Sequence, residues 1–124
     1  MKPVKTRCAG QWTEARFKNF IKSALRAASS RWAPKYLCLK NARTARNTYT
    51  CAICRGSFGN KSVRVDHVDP VVDPISGFRG WDEYIRRLFC EIDGFQLLCL
   101  ECHAKKTLAE QILRREIKAQ CVAS

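Results

Sequence analysis

Four cysteines and two histidines are the residues of this sequence whose types and spacing could do chemistry. The cysteines form two Cys-x-x-Cys pairs, Cys51 with Cys54 and Cys99 with Cys102, and the only histidines are His67 and His103. Read alone, Cys99-Leu-Glu-Cys102-His103 fits a c-type haem attachment, half of a zinc knuckle or a redox pair. The second pair favours the metal. Each Cys-x-x-Cys turns two sulfurs onto one ion, and two such clips complete a tetrahedral thiolate site for a structural Zn²⁺. The forty-four residues between Cys54 and Cys99 far exceed the spacer of a compact zinc ribbon, so the ion ties together the ends of an inserted unit. Cys8, Cys38, Cys90 and Cys121 lack this pairing and read as buried or free thiols, with Cys90 the nearest substitute for a zinc ligand.

His103 need not join the zinc. Successive helical residues point about 100° apart, so Cys102 can face the zinc while His103 turns to a second surface. The other histidine lies in Val65-Asp66-His67-Val68-Asp69-Pro70, at the end of a strand-like run. An oxygen of Asp66 suits a hard divalent ion such as Mg²⁺ or Mn²⁺, and the imidazole of His103 can complete that site. His67 is suited to act as a general base near neutral pH. These are the parts of phosphodiester hydrolysis, which needs a base for water and positive charge at phosphorus. Adjacent strand residues face opposite sides, so Asp66 and His67 serve one centre only if the chain bends there. Pro70 and the loop behind it supply the expected bend.

The elements that must position these groups alternate between helix and strand, an α+β reading. "WTEARFKNFIKSALRAASSRW" carries Phe17, Phe20, Ile21, Ala24, Leu25, Ala28 and Trp32 at helical spacing, with Thr13 as N-cap and Pro34 as stop. Lys18, Lys22 and Arg26, flanked by Arg16, recur on the opposite side. Residues 35–48 read as a short helical turn and a basic loop holding Arg43 and Arg46. A cysteine knuckle follows, with Gly56 and Gly59 at its turns, then a strand in which Val63 and Val65 alternate with Arg64. After a loop come a short helix from Trp81, a second strand at "GFQLLC", and a C-terminal helix whose capping box is Thr107 with Glu110.

The charge is large and uneven. The 124 residues carry a net +12; residues 1–50 hold twelve Lys/Arg against Glu14 alone, and residues 51–124 hold eleven against ten acids. This is the footprint of a nucleic-acid binder, and it divides the chain into a basic helical DNA-binding arm, 1–48, and a body, 49–124. Arg16, Lys18, Lys22, Arg26, Arg43, Arg46, Lys105 and Lys106 are the expected contacts to DNA, with Arg55 and Arg64 as further candidates. Neither a secretory signal nor a membrane span is expected. Reduced thiols in a cytoplasmic setting favour metal over disulfides.

From Tyr49 to Thr107 these motifs resemble the HNH endonuclease family, in particular its small phage-type members with a four-cysteine zinc. The resemblance rests on Cys51-x-x-Cys54, Val65-Asp66-His67, Trp81 and Gln96-Leu-Leu-Cys99-x-x-Cys102-His103-x-x-Lys106-Thr107. It implies a ββα-metal core stapled by the zinc, with the basic helical arm before it and a C-terminal helix after it. It also implies DNA nicking or cleavage that leaves a 3′-hydroxyl and a 5′-phosphate. Asp66 and His103 would then hold the catalytic ion, with His67 as general base. The setting would be a host cytoplasm, with DNA as partner alongside other phage or host proteins. One position departs from the family: Gly94 stands where an asparagine is usual. The alternative is therefore a zinc-containing DNA-binding module that keeps the fold without turnover.

Overall fold

The computed structural model describes residues 2–123, with side chains described through Gln120; the side chain of Cys121 lies outside that range. The chain divides into two compact units, Met1–Arg31 and Trp32–Ser124. This division by packing falls at 31/32, earlier in the chain than the 48/49 line drawn from charge and motifs.

In the first unit, β1 (Lys5–Arg7) pairs antiparallel with β2 (Trp12–Thr13). The turn between them runs through Cys8, Ala9 and Gly10, all at positive φ. Helix α1 (Glu14–Ser29) begins at the expected cap, where the Thr13 hydroxyl accepts the Arg16 N–H at 3.1 Å. It stops at Ser29 instead of continuing to Trp32. The Ser29 and Ser30 hydroxyls donate to the carbonyls of Arg26 and Ala27, a local alternative to further helix.

In the second unit, α2 (Ala33–Ala42) opens with Pro34 in its first turn, where the missing N–H has no helical partner to lose. Pro34 therefore starts a helix as well as following one. The Trp32 indole N–H donates to the Cys90 carbonyl at 2.6 Å, and its ring meets Phe89 edge to face at 5.6 Å. These contacts, with packing of α2 on a central strand, explain why residues 32–48 fold with the body. The expected basic loop is a hairpin, β3 (Arg43–Ala45) and β4 (Thr48–Thr50), turning at Asn47 with φ 52. Strand β5 (Ser57–Phe58) joins it in the order β3-β4-β5.

Strand β6 (Val63–His67) pairs antiparallel with β7 (Phe95–Cys99), Val63 opposite Cys99 and His67 opposite Phe95. Between them lie the loop 68–80, helix α3 (Trp81–Leu88) and a single 3-10 turn at Ile92–Gly94. Phe95, Leu97, Leu98 and Cys99 are all buried. That is why the run is nearly continuous in apolar residues and lacks the alternation of a half-exposed strand. Helix α4 (Leu100–Ala123) follows β7 without a linker.

Two local expectations are corrected. Thr107 lies inside α4 and caps nothing; Glu110 instead pairs with Lys106 at 2.7 Å. The bend at Asp66–His67 is absent, because the β6–β7 register runs unbroken through both residues. The molecule is α+β, as expected, with a four-cysteine cluster. Among the described residues no helix is long and apolar enough to cross a membrane.

Candidate metal centre and the Asp-His strand end

Cys51, Cys54, Cys99 and Cys102 come together, their sulfurs all within 4.8 Å of one another. Cys51 and Cys54 belong to the knuckle between β4 and β5; Cys99 ends β7 and Cys102 lies in the first turn of α4. The knuckle closes through Arg55 N–H to the Cys51 carbonyl at 3.1 Å and Cys51 N–H to the Gly56 carbonyl at 3.0 Å. Ala52 N–H donates to the Leu97 carbonyl at 2.8 Å, which fastens the knuckle to β7.

Turn chemistry here differs from expectation. The left-handed residue is Arg55, at φ 63, rather than either glycine. Gly56 is required by close approach: a Cβ there would stand 2.9 Å from the Phe58 ring. Phe58 in turn packs against the buried cluster of Cys51, Leu98, Cys99 and Cys102.

Electrostatics bear on what the cluster can hold. Burial pushes the Cys51 thiol up, but hydrogen bonds from the backbone of Cys99, Cys54 and Ile53 outweigh it and bring the group to about 6. Cys102 is pushed up to about 12, by its hydrogen bond with Cys99 and then by burial. Four crowded sulfurs cannot all ionise unaided, because each thiolate repels the next. A divalent cation at their centre removes that conflict, and an all-sulfur donor set is the one soft metals prefer. The residues fit a structural zinc. Cys90, the possible substitute, stays outside the cluster, and none of the seven cysteines with described side chains forms a disulfide.

The other expected centre is arranged differently. Asp66 Oδ2 receives Lys106 Nζ at 2.8 Å, and the same ammonium donates to Glu110 at 2.7 Å and to the His67 carbonyl at 2.9 Å. Lys106 is thus committed internally and is not a free phosphate contact. His103 lies one turn before Lys106 on α4, partly exposed and without a hydrogen bond or ion pair among the described residues. The His67 ring turns away from Asp66, toward its cross-strand partner Phe95 at 4.8 Å and toward the end of α3. Among the described residues the four cysteines are the only group of three or more such side chains at metal-binding distance. Asp66, His67 and His103 do not form one.

The tautomer of His67 follows from its partner. Nε2 lies 2.9 Å from the Leu88 carbonyl, which can only accept, so Nε2 carries the proton and Nδ1 keeps its lone pair. Burial pushes the His67 pKa below its ordinary range, and the positive charges of Lys35 and Lys106 add to that; the Leu88 bond and Asp66 oppose it. The imidazole is therefore neutral and basic near pH 7. Lys35 was invisible as a neighbour of His67 in the sequence, where it belongs to the basic stretch. Only the packing of α2 on β7 brings it there.

Gly94 has its own reason. A Cβ there would stand 2.6 Å from Cys90 Sγ and 3.0 Å from Cys90 Cβ, so no side chain fits without moving Cys90. Asp93, one residue earlier, is exposed and lies by Cys90, whose thiol is raised by burial first and then by Asp93 and Glu91.

Of the expected DNA contacts, Arg16, Lys18, Lys22 and Arg26 lie on α1. Lys22 is lowered by burial and then by Lys18 and Arg26, the mark of crowded like charges. Arg43 is exposed on β3, Arg46 at the hairpin tip, and Lys105 is paired loosely with Glu101 at 3.2 Å on the surface. Comparison with protein-family models, with curated proteins and with solved structures finds no match to this chain.

Proposed function

We propose that this chain is a metal-dependent DNA endonuclease of the HNH type, braced by zinc on Cys51, Cys54, Cys99 and Cys102. The observation that carries the reading is the junction of β6, β7 and α4. Strand β6 ends on Asp66-His67, and β7 runs directly into the helix bearing His103. The Lys106–Asp66 contact at 2.8 Å holds that helix against the strand end. In this reading Asp66 and His103 would hold one divalent ion, which would supply positive charge at the scissile phosphate. The unbroken register points Asp66 and His67 to opposite faces, so the end of β6 must rearrange on binding DNA. His67 Nδ1 then takes a proton from water attacking at that ion. The water oxygen bonds to phosphorus as the phosphorus–O3′ bond breaks, and the leaving oxygen takes a proton from solvent, giving a 3′-hydroxyl and a 5′-phosphate. Asp66 becomes available when Lys106 keeps its bond to Glu110 and releases Asp66. Arg16, Lys18, Lys22, Arg26, Arg43, Arg46 and Lys105 contribute backbone contacts, so binding weakens as salt rises.

A second reading, a DNA-binding module without turnover, is favoured by two observations: Cys90 closes position 94 to any side chain, and Lys106 occupies Asp66. Nicking of supercoiled plasmid with Mg²⁺ or Mn²⁺ decides between the two. The nuclease reading expects nicking by the zinc-loaded wild type and a loss of about 10²-fold or more in His67→Ala. Equal nicking by both removes His67 as base, and no nicking by the wild type selects the module.

A further inference from the structure

The first unit presents a feature beyond the phosphate contacts, sharing only Arg16 with them. The rings of Trp12 and Phe20 meet at 5.3 Å and 64°, forming an angled notch, and Phe20 remains 55% exposed. The Arg16 guanidinium lies 4.4 Å over the Trp12 ring. Asn19 and Ser23 complete the lining of an open hollow of about 480 Å³. A large exposed ring on a helix of a small unit has a cost in water, and here it stands among groups able to read a ligand.

We infer that the Trp12–Phe20 notch is a stacking site for unpaired bases of single-stranded DNA. Three features select this ligand. Two ring faces at an angle, with a stacked guanidinium, suit a flat aromatic ligand. The amide of Asn19 and the hydroxyl of Ser23 can hydrogen-bond to the edge of such a ring. The surroundings are also strongly positive: residues 1–31 hold eight Lys/Arg against Glu14 alone. That one acid is already bound by Thr6 at 2.6 Å and Arg7 at 2.9 Å. A partner must therefore be anionic and must offer flat aromatic faces. A nucleic acid does both, but a duplex keeps its base faces stacked inside, so only an unpaired stretch can reach Phe20. The inference rests on the nucleic-acid reading of the arm and is independent of cleavage.

The test uses the full-length His67→Ala chain, so that cleavage does not intervene. Anisotropy of a labelled oligo-dT and of a duplex of equal length is read at one fixed salt concentration. Phe20→Leu keeps an apolar side chain and removes the ring; Phe20→Tyr keeps the ring. Phe20→Leu should weaken single-strand binding by about ten-fold, the effect of one lost stack, and change duplex binding by less than about two-fold. Phe20→Tyr should bind both as the parent does. Equal losses on both ligands, no loss on either, or a parent that binds neither would overturn the inference. Plasmid nicking reads the nuclease proposal separately, so either can fail alone.

Discussion

Cys90 and Gly94 form a pair in which each residue constrains the other. Alanine at position 94 would ordinarily be neutral or slightly stabilising, since Gly94 is not among the glycines at positive φ. Here its Cβ would stand 2.6 Å from a sulfur. Gly94→Ala should therefore cost about 1–3 kcal/mol in denaturant unfolding. Adding Cys90→Ala should recover most of it, because the remaining Cβ contact at 3.0 Å needs only a small shift. Strictly additive costs would show that the two residues do not interact. His67 gives a second expectation. Its pKa lies below the ordinary 6.5, and the neutral ring is the base. Nicking should thus hold steady above about pH 6.5 on this group's account and decline as pH falls through the lowered pKa. A decline that begins well above neutral would exclude His67 as the titrating group. At this scale the four cysteines were legible from spacing alone. Lys35 and the Leu88 carbonyl were not, since no local pattern tells which distant residues a histidine will meet.

Elements were read best where one strong signal acted locally. Thr13 before an amphipathic run predicted the start of α1, and the structure has that cap. Thr13→Ala should cost about 1 kcal/mol. Thr107→Ala, exposed within α4, should change stability by only a few tenths of a kcal/mol, since alanine suits a helix interior at least as well. Comparable losses in thermal melts of the two variants would contradict this assignment of caps. Thr107 with Glu110 looked like a helix start because the capping pattern recurs wherever Thr precedes Glu by three; α4 had already begun at Leu100. The β3–β4 hairpin was missed for a different reason. Its turn lacks the usual glycine and uses Asn47, while β3 is short and exposed. The missing bend at Asp66–His67 was a functional expectation imposed on the strand, and five consecutive cross-strand pairs overrode it.

The second unit depends on the cysteine cluster, which joins the knuckle to the β7–α4 junction and ties together about half of that unit's sequence. Its buried centre is small: Cys51, Leu98, Cys99 and Cys102, with Phe58 packed against them. Cys51→Ala should lose the bound metal and markedly lower the melting temperature, as should a strong chelator added to wild type. A variant with unchanged melting and unchanged metal content would remove the structural role. The charge asymmetry and the α+β class were both legible in the composition and pattern. The division at residue 31 was not, because it depends on Trp32 reaching Cys90.

Cysteine titration carries one more consequence. At neutral pH Cys102, pushed up to about 12, and Cys54, also raised, would otherwise keep their protons, while Cys51, at about 6, is already mostly ionised. Filling the cluster therefore expels hydrogen ions into the buffer and leaves a centre of roughly two negative charges inside a basic protein. The pKa of the exposed Lys105 is raised first by Glu101 and then by the charges of Cys102 and Cys99. Uptake of the ion should acidify weakly buffered solution, tighten with each step toward alkaline conditions, and slow migration toward the cathode in a native gel.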